Sequence, residues 1–114
     1  MTLREKQCVF ARCLAWLILW IDEHGWAVSL SEGYVGDTDA ADGDYDGPHK
    51  CGGMHYTKLA QDLNLFVGGL LCRDGEHPAW QAIGKHWKTL HPSARWGGDW
   101  GDANHVSFEH EGRA

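Results

Sequence analysis

A chain of 114 residues, 43% hydrophobic and carrying seven tryptophans, holds enough apolar material for one folded core and too little length for two. Its formal net charge of −6, with eight histidines counted neutral, excludes nucleic-acid binding through a basic surface, because phosphate contacts need clustered Lys and Arg. The four cysteines (Cys8, Cys13, Cys51, Cys72) form no Cys-x-x-Cys pair, so a disulfide scaffold is not expected and a reducing compartment of synthesis is.

In chain order, the first expected element is a helix from about Leu3 to His24. Val9, Leu14, Leu17, Ile18 and Ile21 recur at helical spacing, and Gly25 fits a C-terminal cap. The apolar run Leu14–Ile21 is too short to span a bilayer and no small-residue cleavage site follows, so a buried structural helix without membrane insertion is expected. Cys8 and Cys13 on it read as small buried apolar residues. Trp26–Ser31 reads as a strand with Val28 and Leu30 facing inward. A long polar connection, Glu32 to Gly53, follows. Within it Asp42-Gly-Asp44-Tyr-Asp46-Gly47 puts carboxylates at alternate positions and a glycine at the sixth, the opening of a calcium-binding loop. The twelfth position is Gly53 rather than Glu, with Asp37 and Asp39 adding charge nearby; a calcium site and a solvated acidic loop are both open readings.

From Ala60 the chain alternates. Asp62, Asn64 and Phe66 point one way while Leu63, Leu65 and Val67 point the other, as on a half-buried strand. Val67-Gly-Gly-Leu70 signals a tight hairpin, with Leu70–Arg73 pairing back. Pro78 opens a second helix to about Leu90, striped by Trp80, Ile83, Trp87 and Leu90. Gly97, Gly98 and Gly101 mark a flexible turn that sets Trp96 and Trp100 beside the next segment. There Val106 and Phe108 alternate with His105, Ser107 and Glu109 as a second short strand, Val106–His110.

Set side by side, the two strands bring His105 close to Asp62, with Asp102 one turn away. His55, in an irregular lead-in loosened by Gly52-Gly53, completes a His/Asp/His set. Those residue types suit zinc: three N/O ligands leave a fourth tetrahedral position for water, whose proton an adjacent carboxylate can take. Cys51 between His49 and His55 offers a rival His/Cys/His arrangement, and polar surface residues are the plain alternative.

The segments Met54-His55 to Phe66 and Trp96-Gly-Gly-Asp-Trp100-Gly-Asp102-Ala-Asn-His105 resemble the zinc peptidases of the D-alanyl-D-alanine carboxypeptidase and L-alanyl-D-glutamate endopeptidase family, in particular small phage endolysins. That family's pattern is Ser-x-His, a Leu-Ala-x-Asp-Leu run starting four residues beyond the His, and a later Asp/Glu-x-x-His followed by an aromatic–acidic pair. The resemblance implies His55, Asp62 and His105 as zinc ligands and Asp102 as general base. It also implies an amide-cleaving hydrolase acting on the peptide stem of bacterial peptidoglycan, at L-Ala–D-Glu or as a D-alanyl-D-alanine carboxypeptidase. Such an enzyme is held in the host cytoplasm until a separate pore protein permeabilises the membrane. Two positions depart from the pattern: Gly53 stands for the serine, and Val35 follows Ser31-Glu32-Gly33-Tyr34 where the family carries an arginine. Lys50, Lys58 or Arg73 then holds the substrate, or it is held differently, with Trp100 a candidate cleft wall. The missing arginine also motivates an alternative, a zinc-bearing wall-binding module without catalysis. The expected architecture is α+β, a small antiparallel sheet with helices on one face and a zinc cleft on the other. It is expected as a single monomeric domain over residues 1–114, with no separate wall-binding domain.

Overall fold

In the computed structural model, residues 1–31 and 57–114 are described. The first helix, α1 (Leu3–Glu23), starts at a capping box: the Thr2 hydroxyl accepts from the Glu5 N–H while the Glu5 carboxylate accepts from the Thr2 N–H, both at 3.1 Å. This Thr-x-x-Glu signature is legible in the sequence. It ends where Gly25 turns left-handed (φ 80°). There the Gly25 and Trp26 N–H groups donate to the Asp22 and Ile21 carbonyls, the bond pattern of a Schellman cap.

Five strands follow around one further helix: β1 (Ala27–Ser31), β2 (Ala60–Val67), β3 (Leu70–Leu71), α2 (Pro78–Thr89), β4 (Ala94–Trp96) and β5 (His105–Phe108), with a 3₁₀ turn over Gly97–Trp100. The strands pair antiparallel in the order β1-β2-β5-β4, with β3 folded back on β2. The fold is α+β, with its helices packed against a small antiparallel sheet. The hairpin to β3 turns on Gly68 and Gly69 at φ 60° and 79°, the conformation a two-residue type I′ loop demands.

Alternation decides which side of the sheet the helices cover. Leu63 and Leu65 of β2, Val106 and Phe108 of β5, and Ala94 and Trp96 of β4 join Phe10, Cys13, Leu17 and Ile21 of α1 and Trp80, Ile83 and Trp87 of α2 in one core. Phe10, Trp87 and Phe108 meet at its centre, Phe10 standing edge-on to the other two rings with centroids 5.7 and 5.3 Å away. The Trp87 indole N–H, which cannot go unpaired in a dry core, donates to the carbonyls of Arg95 and Ser107 at 2.9 and 3.2 Å and ties α2 to β4 and β5.

Several expectations are corrected. Leu30 is 60% exposed, because β1 is the sheet edge and the buried core gathers over β2, β5 and β4. The buried line of α1 is Phe10, Cys13, Leu17 and Ile21, so Cys8 is exposed while Cys13 is buried. Gly97 and Gly98, expected in a flexible turn, lie in the 3₁₀ turn, the short strand β4 that precedes them was not expected, and β5 ends at Phe108, with His110 bridging back to Arg113.

Trp87→Ala is expected to lower unfolding free energy by about 3–5 kcal/mol through the cavity it leaves. Trp87→Phe, which keeps a ring but removes the indole donor shared by two ladder carbonyls, is expected to cost about 0.5–1.5 kcal/mol for the lost hydrogen bond. Urea denaturation followed by circular dichroism measures both.

Candidate metal centre

The β2–β5 register sets Asp62 directly opposite His105. On either side, Leu63 N–H donates to the Asn104 carbonyl and Phe108 N–H to the Leu59 carbonyl, both at 2.9 Å. Hydrogen-bonded pairs alternate along an antiparallel ladder, so Asp62/His105 falls at a non-hydrogen-bonded position, where facing side chains approach most closely. Asp62 Oδ1 accordingly lies 3.2 Å from His105 Nδ1. Both residues are buried, 5% and 7% exposed, on the sheet face turned away from the helices. A carboxylate taken out of water there needs a cationic or hydrogen-bonding partner to offset its desolvation.

Asp102 reaches the same point from the turn before β5. Its N–H donates to the Gly97 carbonyl at 2.8 Å, and its own carbonyl accepts from the His105 N–H at 3.1 Å. The indole N–H of Trp96 clamps the neighbouring Ala103 carbonyl at 2.7 Å. Gly97 is required by this closeness: a Cβ there would sit 2.1 Å from the Asp102 carbonyl oxygen and 2.7 Å from His105 Cβ. Trp96 is seated in the same way, its ring lying where a Cβ on Gly84 or Gly98 would fall.

Donor atoms of Asp62, Asp102 and His105 all lie within 4.8 Å of one another, and the group can hold a metal ion. The 3.2 Å between Asp62 Oδ1 and His105 Nδ1 is close to the roughly 3.3 Å edge of a tetrahedron with metal–ligand distances of about 2.0–2.1 Å. Asp102, unlike the other two, is exposed.

Of the residues singled out in the sequence, Asp62, Asp102 and His105 are brought together. His55 lies outside the described residues, as do Asp42, Asp44 and Asp46 of the calcium reading, Lys50, Cys51, Gly53 and Val35. Trp100 stands half exposed with its ring edge-on to that of His105, centroids 5.8 Å apart. Lys58 is exposed in the turn before β2 with φ 59° and is not part of the Asp/Asp/His group. A cleft of about 360 Å³ adjoins Asp102, with Asn64, Leu71, Arg73, Trp80 and Asn104 among its walls. Two contributors escape a sequence reading. Gly97 is signalled only by its place in an aromatic–glycine run. Ser107, fully buried on the His105 side of β5, has a hydroxyl without a hydrogen-bond partner among the described residues.

Compared with known proteins, the chain matches no family model and no curated sequence.

Gly97→Ala, which pushes on Asp102 and His105 without touching a donor atom, is expected to weaken divalent-ion binding about 10–100-fold, as loss of outer support does in metal sites. Titration calorimetry on the variant checks this, with Gly112→Ala, at a left-handed turn near the C-terminus, as a strained-glycine control that leaves affinity unchanged.

Proposed function

We propose that the chain is a zinc-dependent peptidase of the peptidoglycan stem, cleaving the L-Ala–D-Glu amide. The observation that carries this reading is the pairing of a buried carboxylate and a buried imidazole 3.2 Å apart with an exposed carboxylate beside them. The segments supplying all three resemble the zinc peptidases described above.

In this reading Asp62 and His105 hold zinc together with His55. Zinc, when bound, supplies Lewis acidity and brings the pKa of its water to about 7. The residues of the chain do the rest. Asp62 and His105, fixed by strand pairing, form a rigid and largely dry floor, which keeps the electrostatics of the site strong. Asp102 acts on the solvent side: it is exposed, held by its backbone to Gly97, and lines the adjoining cleft. It takes the proton from the attacking water and returns it to the departing amine. Trp100 offers its half-exposed ring as a wall for the peptide. The enzyme acts on the wall once a separate pore protein has opened the host membrane; among the described residues, no helix is long and apolar enough to cross a membrane itself.

A second reading has its own observation. Asp102 lies close enough to Asp62 and His105 to be a third ligand, which would make the site a metal-bearing binding module. The two readings part at Asp102→Ala. The peptidase reading expects zinc retained and turnover of purified peptidoglycan reduced about 10²–10⁴-fold, the usual worth of a general base. Zinc lost with Asp102→Ala supports the binding module. Digestion by the wild type should stop with a chelator, resume with zinc, and give fragments whose masses mark a new D-Glu amino terminus; release of free D-alanine instead would identify a carboxypeptidase.

A further inference from the structure

We infer that the cleft beside Asp102 receives the leaving-group side of the substrate, and that Arg73 binds a carboxylate there. The inference rests on the peptidase reading and adds to it the chemical class of the peptide, an acidic one, and the residue that selects it.

The cleft exists because the ladder along β2 is interrupted. Leu63 N–H is bonded to Asn104, just before β5, and Leu65 accepts from Cys72 N–H, just after β3. Between those two bonds neither neighbouring strand continues, and a space of about 360 Å³ opens at the edge of β2. One wall is the turn carrying Asp102 and Asn104; the other is the segment from Leu71 to Gly75. The walls meet where Gly75 passes Ala103, leaving only 3.2 Å between a Cβ on that glycine and Ala103 Cβ. The depth of the cleft is therefore limited by a contact that any larger side chain at Gly75 would block.

Its charges are few. Among the lining residues Asp102 is the sole acid and Arg73 the sole base, and the remainder are apolar or carboxamide side chains. Arg73 is exposed and, among the described residues, makes no hydrogen bond or ion pair. The chain is acidic overall, at −6, so an arginine lining the same cleft as Asp102 is a local reversal of sign. A planar five-donor fork suits a carboxylate held by two parallel hydrogen bonds. Asp102 is shared between the metal group and the cleft, so the peptide portion in the cleft is the one whose amine Asp102 protonates. In a stem cut at L-Ala–D-Glu, that portion begins with a D-Glu linked through its side chain, whose α-carboxylate is free and adjacent to the broken bond. Leu71 and Trp80 then flank the aliphatic part.

Two synthetic stem peptides test this, L-Ala–γ-D-Glu–L-Lys with a free α-carboxylate and its α-carboxamide counterpart, cleaved by the zinc-loaded enzyme. The wild type is expected to prefer the acid. Arg73→Ala should raise KM for the acid about tenfold or more, the loss of a charge-assisted hydrogen bond, with kcat, KM for the amide, zinc content and melting temperature unchanged. Arg73→Lys should recover part of the preference. Equal handling of the acid by wild type and Arg73→Ala overturns the assignment of Arg73 while the peptidase reading stands. A rise in KM for both peptides, or a lower melting temperature, overturns it in favour of a structural role. Cleavage of neither peptide by the wild type removes the peptidase reading and this inference with it.

Discussion

The geometry of the candidate centre depends on the register of two strands. Asp62 and His105 face each other only because β2 and β5 pair as they do, and that pairing is enforced from the opposite face. Leu63 and Leu65 alternate with Asp62, and Val106 and Phe108 alternate with His105; all four apolar side chains are buried under the helices. A slip of one residue would send the leucines to solvent and the carboxylate into the core, at a cost of several buried side chains, each worth about 1.5–3 kcal/mol. Hydrophobic burial on one face thus positions chemistry on the other. No polar contact at the site needs to be strong enough to set its own geometry.

The third residue is held by a different device. Asp102 stands on no strand or helix, and its position comes from backbone hydrogen bonds and from glycines that let chain segments approach. Gly97 admits the Asp102 carbonyl, and Gly84 and Gly98 leave room for the indole of Trp96, which in turn grips Ala103. What looks in the sequence like a loose, glycine-rich turn is a packed joint between α2, β4 and β5. It keeps Asp102 beside two buried partners while leaving it exposed and lining the adjoining cleft.

Legibility varied with the locality of the signal. Both helices were readable from spacing and caps, since Gly25 and Pro78 punctuate within a turn of the ends. The alternation of β2 and the glycine pair at 68–69 were equally local. Leu30 and Cys8 were misjudged because periodicity says which side a residue faces on its own element and not whether a neighbour covers that side. Strand β4 was missed for a related reason: Ala94–Trp96 is three residues long, too short for any period, and it exists by virtue of pairing with β5 and packing on α2.

By itself the sequence determined the types of residue available and the faces they occupy: a carboxylate alternating with leucines, an imidazole alternating with valine and phenylalanine, an acid three residues ahead of that imidazole. Those follow from side-chain periods of two and 3.6, which need no knowledge of distant parts. Only the tertiary structure decided that Asp62 meets His105 across 43 residues of chain, and that Arg73 arrives at the cleft Asp102 opens on. Such meetings are fixed by which apolar surfaces bury one another, a property of the whole core and of no single segment.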